Sequence, residues 1–162
     1  MIPPNHPSCL ILVVDDEPAI THLLRRVLEE DGHRVVVAID GRAALDRVAE
    51  RRPDLVVLDA DMPEVGGFEV CRRLKTNPDT RLLPVLILTG SGAPDARLRA
   101  WELGADEFLT KPFQALEVAA RCRSLLRQKE LVDALDSAES VVFALVRAIE
   151  AKARTPTGTR PG

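Results

Sequence analysis

The chain has 162 residues, enough for one compact domain with an appendage but too few for two domains of ordinary size. Its 22 basic and 25 acidic side chains give a net charge of -3, which provides no polycationic surface for nucleic acid or an anionic membrane. No apolar run approaches the ~20 residues of a bilayer span. Three scattered cysteines without metal-ligand spacing are typical of a reducing compartment. We therefore expect a cytoplasmic protein with no nucleic-acid or membrane partner.

Short β-branched runs alternate with longer amphipathic segments along the first two thirds of the chain. We predict strands near residues 10–14, 34–39, 54–58, 84–88 and 106–109. We predict helices near residues 17–30, 41–51, 68–76 and 94–103. This order is typical of a parallel sheet covered by helices on both faces, in a doubly wound α/β domain. The ligand site of such a domain lies at the carboxyl ends of the strands.

Four of the predicted strands end in residues suited to metal or phosphate chemistry. The run LILVV leads into Asp15 and Asp16, LVVL into Asp59, VLIL into Thr89, and EFLT into Lys111. Any one of them alone could be an ordinary loop residue, because loops are polar. All four at one sheet edge predict a single site.

The acidic residues of this set predict a cation site. Asp15, Asp16 and Glu17 are adjacent, and three acids at one sheet edge repel each other unless a cation neutralises them. One of them also suits the cap of the helix that opens at Pro18. Carboxylates with retained waters are ligands that Mg²⁺ prefers, and Asp59 on a neighbouring strand completes the set.

Asp59 is the predicted nucleophile. Its carboxylate can attack a phosphoryl group once a cation and Lys111 screen the charge. Thr89 is then expected to hydrogen-bond a phosphoryl oxygen, and the adjacent Gly90 leaves room for the donor. Lys111 precedes Pro112, and a cis bond there would aim the ammonium across the strand ends.

These residues stand in segments that resemble the receiver domain of two-component response regulators, over residues 9–128. The similar segments are VVDDEP, LVVLDADMPEVGGFEVC, VLILTGSG and GADEFLTKPF, in the order and spacing of that family. The resemblance implies a flavodoxin-like five-stranded sheet in the order 2-1-3-4-5, followed here by an extended C-terminal helix. It also implies a histidine kinase or phosphotransfer protein as the phosphodonor, and a signalling domain rather than an enzyme.

Carried over residue by residue, the resemblance assigns a role to six positions. They are the phosphoacceptor Asp59, the Mg²⁺ pocket of Asp15, Asp16 and the Asp61 backbone carbonyl, the switch hydroxyl Thr89, and the phosphate-contacting Lys111.

Three further side chains carry expectations of their own. Phe108 stands where many receivers have a tyrosine that swings inward, so switching here would depend on packing without a hydroxyl contact, unless Phe108 is a plain core aromatic. The Asp61 side chain is expected to influence water attack on the phosphoryl group, in a direction that the sequence does not give. Trp101 on the predicted fourth helix is expected to face the core, the alternative being a partner.

The apolar pattern continues from Phe113 to Thr155 without a helix breaker, which predicts a helix of about 40 residues, or ~60 Å. Beyond residue 128 it forms a heptad seam of Leu131, Leu135, Ala138, Val142, Leu145 and Ile149, widened by Val141, Phe143 and Val146. We predict a parallel homodimeric coiled coil. The alternative is a linker that packs on a second domain, because DSAESVVFALVRAIEAK resembles the lead-in helix of HD-GYP-type response regulators.

The predicted organisation is a tail at 1–8, a receiver domain at 9–128, an extended helix at 129–153 and a disordered tail at 154–162. Two other functions share parts of the pattern. One is a receiver-like dimerisation scaffold that acts without phosphorylation. The other is a phosphatase whose DxD nucleophile motif would be Asp59-Ala60-Asp61, but its acidic metal pair should follow the lysine rather than precede it.

Overall fold

A computed structural model of the protein describes residues 7–90 and 94–154. The strands are β1 (Leu10–Val14), β2 (Arg34–Ala38), β3 (Leu55–Asp59), β4 (Val85–Thr89) and β5 (Glu107–Thr110). The helices are α1 (Pro18–Glu30), α2 (Gly41–Glu50), α3 (Gly67–Thr76), α4 (Pro94–Glu102) and α5 (Ala115–Ala153). The predicted tails at 1–8 and 154–162 lie outside the described residues, apart from residues 7, 8 and 154.

The five strands form one parallel sheet in the order β2-β1-β3-β4-β5. Every residue of β1, β3 and β4 is buried, which explains why these strands are continuous apolar runs rather than alternating ones. The doubly wound, flavodoxin-like α/β fold in the order 2-1-3-4-5 is confirmed, as is the extended C-terminal helix.

The sheet has a hydrophobic core on each face. Alternate residues of one strand point to opposite faces, so Leu12 of β1 joins one core and Ile11 joins the other. The first core contains buried side chains of α2, α3 and α4, and the second contains those of α1 and the first part of α5. The strands are thereby fixed between two helical layers, and their carboxyl ends form one rigid edge.

Helix α4 differs from the sequence prediction at Trp101. The indole is 51% exposed, whereas the neighbouring Ala100 is fully buried against the sheet. Successive residues of a helix lie about 100° apart, so the buried face at Ala100 turns Trp101 outward. The prediction that Trp101 faces the core is therefore wrong.

Helix α5 runs without interruption from Ala115 to Ala153, but the described residues separate into two compact units between Leu126 and Arg127. In the first unit, α5 buries Val118, Cys122 and Leu125 in the second core. In the second unit, the apolar side chains of the predicted seam are exposed. Within the part of the chain that the structure describes, no helix is both long and apolar enough to cross a membrane.

Helix α3 begins in close contact with the end of β3. A Cβ atom on Gly67 would lie 2.1 Å from the backbone oxygen of Asp59 and 2.7 Å from the Cα of Ala60. On the adjacent Gly66, the nearest described atoms to a Cβ would be at 3.6 Å. Only a glycine at position 67 allows α3 to start directly against the strand that carries Asp59.

We expect Gly67→Ala to lower the free energy of unfolding by about 3 kcal/mol, because the added methyl group overlaps backbone that cannot move independently. Gly66→Ala is the matched control and should change it by less than about 1 kcal/mol, because the site is open and its φ of -70° suits alanine. Urea denaturation of both variants measures the difference. Equal effects of the two substitutions would contradict the close packing at Gly67.

Candidate functional site

The carboxyl edge of the sheet brings the predicted site residues together. Asp59 and Thr89 are the last residues of β3 and β4, and Asp15 directly follows β1. These three residues are only 2%, 0% and 1% exposed, whereas Asp16 and Asp61 are exposed. Lys111 follows β5 and is bonded through its backbone N–H to the Thr89 carbonyl at 2.7 Å. Parallel register alone places these residues at one edge.

Lys111 forms ion pairs with two buried carboxylates. Its Nζ lies 3.2 Å from Oδ1 of Asp59 and 3.6 Å from Oδ2 of Asp15. Partial burial disfavours the ammonium, but attraction to both carboxylates outweighs it and raises the pKa of Lys111. The peptide bond between Lys111 and Pro112 is cis. The lysine is therefore a permanent cation beside Asp59.

Asp15, Asp16 and Asp59 form a carboxylate cluster. Each offers an oxygen, and these oxygens lie within 4.8 Å of one another. Oδ1 of Asp15 accepts a hydrogen bond from the N–H of Glu17 at 2.9 Å. Within residues 7–90 and 94–154, Oδ2 of Asp15 is buried and accepts no hydrogen bond. A buried carboxylate oxygen that accepts no hydrogen bond from the described residues, and that lies beside two further carboxylates, fits a hard divalent cation such as Mg²⁺.

The same crowding perturbs the ionisation of Asp15. Burial raises the pKa of its carboxyl from 3.8 to about 6, with further increases from the negative charges of Asp59 and Asp16. The Glu17 N–H and the Lys111 ammonium oppose this change without cancelling it. One lysine does not neutralise the cluster, so the site retains unbalanced negative charge.

The side chain of Asp61 connects this cluster to β4. Its Oδ2 accepts hydrogen bonds from the N–H of Gly90 at 2.7 Å and from the Thr89 hydroxyl at 3.5 Å. Its own N–H donates to Oδ1 of Asp59 at 3.1 Å. From the sequence we assigned the backbone carbonyl of Asp61 to the metal and expected its side chain to act on water. The contact with Thr89 and Gly90 was missed, and no sequence signal identifies it.

Phe108 is directed inward. The ring is 8% exposed and belongs to the same core cluster as Leu58 and Ile87, and the Arg97 guanidinium lies 5.7 Å from the ring centroid. The Phe108 ring thus lies inside the core, with the Arg97 guanidinium over one face of the ring.

Comparison with known proteins identifies similar domains. The response regulator receiver domain profile matches residues 11–123. The chain is 41% identical over 151 residues to the response regulator MprA of Mycolicibacterium vanbaalenii, a match that covers 93% of this chain and 64% of MprA. The family resemblance predicted from the motifs is confirmed.

Solved structures show the same similarity. The signal receiver domain of a signal transduction histidine kinase from Syntrophus aciditrophicus is 38% identical with a TM-score of 0.71, covering 75% of this chain and 92% of that one. The chemotaxis response regulator CheY4 of Vibrio cholerae is 28% identical with a TM-score of 0.69, covering 74% of this chain and 99% of that one.

The alignment covers only part of MprA. The chain spans just under two thirds of the length of that relative, at 64%. The matched part says nothing about partners bound by the rest of such a protein. The expectation that nucleic acid is not a partner was drawn from net charge, and these relatives do not support it.

We expect Asp15→Asn to raise the free energy of unfolding of the metal-free protein at about pH 8, on the order of 2 kcal/mol. The folded-state pKa of Asp15 lies above its unfolded value, so folding favours the protonated carboxyl. Stability is therefore lost as pH rises from 3.8 to about 6, and the full cost persists above that range. The neutral amide avoids this cost, although it also loses the attraction to Lys111.

Urea denaturation in a chelator, at about pH 5 and about pH 8, measures this effect. The gain should be larger at the higher pH, and added magnesium should stabilise the parent protein but not the variant. Asp16→Asn is the control, with a smaller gain because Asp16 is exposed. A loss of stability on Asp15→Asn at both pH values would contradict the prediction.

Proposed function

Because the chain belongs to the response regulator receiver domain family, we propose that it accepts a phosphoryl group on Asp59 from a histidine kinase or phosphotransfer protein. The observation that carries the proposal is the position of Lys111, whose Nζ lies 3.2 Å from Asp59 and 3.6 Å from Asp15. A buried carboxylate beside a fixed cation and two further acids is suited to phosphoryl transfer.

In the proposed reaction, Asp59 attacks phosphorus while the donor bond breaks. Oδ1 of Asp59 accepts hydrogen bonds from Lys111 and from the N–H of Asp61, so the other oxygen, Oδ2, forms the new bond. The P–N bond of a phosphohistidine donor breaks, and its electron pair and a proton remain on the imidazole. Lys111 holds its charge beside the phosphoryl oxygens throughout, and this stabilises the transition state.

Mg²⁺ fits the same site. Asp15, Asp16, Asp59 and the backbone carbonyl of Asp61 would hold it, and the buried Oδ2 of Asp15 supports this assignment. The ion would neutralise charge on the phosphoryl oxygens. The chain itself supplies the orientation of Asp59 and excludes water by burying its carboxylate.

Two residues are proposed to transmit the phosphorylated state. The Thr89 hydroxyl would move to a phosphoryl oxygen, and Phe108 would adjust its packing in the core cluster beside β4. Phenylalanine brings no hydroxyl, so the coupling depends on packing alone. The proposed role is signalling in the cytoplasm, without a separate enzymatic substrate.

We expect a small phosphodonor such as acetyl phosphate, with magnesium, to add one phosphate to the protein, and Asp59→Asn to abolish the adduct because the amide is not a nucleophile. Intact-mass spectrometry detects the adduct. Asp46→Asn is the control, since it removes an exposed carboxylate on α2 and should leave the adduct unchanged. Absence of an adduct with every donor would favour a dimerisation scaffold that acts without phosphorylation.

The second compact unit supports a proposal of dimerisation. Seven apolar side chains of its helix are 58–70% exposed: Leu131, Leu135, Val141, Val142, Phe143, Leu145 and Ile149. The seam steps by four and three, which places Leu135, Val142 and Ile149 at heptad position a, and Leu131, Ala138 and Leu145 at d. β-Branched residues at a with leucine at d favour a parallel two-stranded coiled coil.

We therefore propose a homodimer through residues 129–153, following a receiver domain at 9–128. The resemblance of this helix to the lead-in of HD-GYP-type response regulators stays a prediction. The apolar face includes Val132, Val141 and Val146 beside the seam, so it is wider than two helices require. The measured oligomeric mass is thus a direct test of the two-stranded arrangement.

We expect Leu145→Glu to convert the dimer to a monomer, because it places like charges opposite each other at a d position. Ser140→Glu is the matched control, since position 140 is an f position facing away from the seam, and the dimer should persist. Light scattering coupled to gel filtration gives the mass of each variant. A monomeric or tetrameric parent protein would contradict the proposed dimer.

A further inference from the structure

The side chain of Asp61 accepts hydrogen bonds from two donors at the end of β4, next to the strand that carries Asp59. Its Oδ2 lies 2.7 Å from the N–H of Gly90 and 3.5 Å from the Thr89 hydroxyl. A Cβ on residue 90 would lie only 3.3 Å from the same oxygen, so glycine permits this close approach. Both donors stand at the end of β4, where β4 lies beside the end of β3 and Asp59.

From this geometry we propose that the Asp61 carboxylate is a latch, which holds Thr89 and Gly90 in the resting arrangement and opposes the phosphorylated one. The inference rests on the proposed function, because it concerns the same site. It makes Asp61 a positioning residue that acts through β4.

The Asp61 carboxylate competes for the proton of the Thr89 hydroxyl. A threonine hydroxyl has one hydrogen and donates it to one acceptor at a time. At 3.5 Å the contact of this hydroxyl with Asp61 is long and weak, and only while the hydrogen is directed to Asp61 is it unavailable to a phosphoryl oxygen on Asp59. The Gly90 N–H is held more tightly, at 2.7 Å, by a charged acceptor. Phosphorylation must therefore break the contact of Asp61 with β4 before β4 can respond.

Repulsion between negative charges acts in the same direction. A phosphoryl group adds roughly -1.5 to -2 at neutral pH. The backbone N–H of Asp61 is 3.1 Å from Oδ1 of Asp59, so Asp61 lies beside the carboxyl group that would carry the phosphoryl group. Repulsion between the phosphoryl group and the Asp61 carboxylate thus favours release of the latch. Both effects make the carboxylate stabilise the unphosphorylated state relative to the phosphorylated one.

The test uses beryllofluoride with Mg²⁺, a tetrahedral mimic of the phosphoryl group, titrated into the full chain. We expect Asp61→Ala to bind it about tenfold more tightly than the parent protein, because one charged hydrogen-bonding contact no longer has to be broken. Asp61→Asn keeps an acceptor oxygen but removes the charge, so its affinity should fall between the two. Asp46→Ala, which removes an exposed carboxylate away from the site, should bind like the parent.

Two further measurements separate a latch from simple charge repulsion. In a Thr89→Val background there is no hydroxyl to compete for, so the gain from Asp61→Ala should be at least threefold smaller. In the unliganded protein, the Gly90 amide resonance should move upfield in Asp61→Ala and exchange faster with solvent. An unchanged Gly90 amide would overturn the latch whatever the outcome for phosphorylation.

The results distinguish a failure of the latch from a failure of the proposed function. If the parent protein binds beryllofluoride and Asp61→Ala binds no more tightly, the latch is wrong and the proposed function stands. If neither binds, the proposed function fails and the latch fails with it. If only Asp61→Ala binds, the latch is supported in its strongest form.

Discussion

The site depends on the burial of two carboxylates, Asp15 and Asp59, against a single ammonium. Lys111 contacts both of them, yet one positive charge cannot balance the acids gathered at the edge. Burial raises the pKa of Asp15 to about 6, which shows that the fold holds this carboxyl where its ionised form is disfavoured. An arrangement of this kind fits a divalent cation, and its unbalanced charge is the physical basis of the proposed phosphoryl chemistry.

The rest of the fold maintains that burial. Strands β1, β3 and β4 are apolar throughout and covered on both faces, so their carboxyl ends cannot shift without disturbing both cores. The start of α3 is seated on the backbone of Asp59 through Gly67, at a distance that excludes any Cβ atom. Rigid strand ends and close helix packing together hold the Asp59 carboxylate in place, as the proposed phosphoryl transfer requires.

The carboxyl edge of the sheet also contains the contacts through which a phosphoryl group on Asp59 is proposed to act on β4. Asp61 is bonded to Gly90 and Thr89 on one side and to Asp59 on the other, so a change of charge on Asp59 acts directly on β4. Phe108, on the neighbouring β5, is packed in a core that includes residues of β4. The apolar face of the second unit is exposed, and the partner proposed for it is a second copy of the chain.

The amino-acid pattern was enough to predict the order of the elements, the sheet topology through the family resemblance, and the residues at the carboxyl edge. Apolar runs and parallel register are enough for this, because each run delivers its last residue to the same edge. Which atoms come into contact could be read only from the folded chain. The bonds from Gly90 and Thr89 to Asp61, the outward turn of Trp101 and the lack of space at Gly67 depend on helix rotation and loop paths. Those are set by packing between distant segments, which local patterns do not encode.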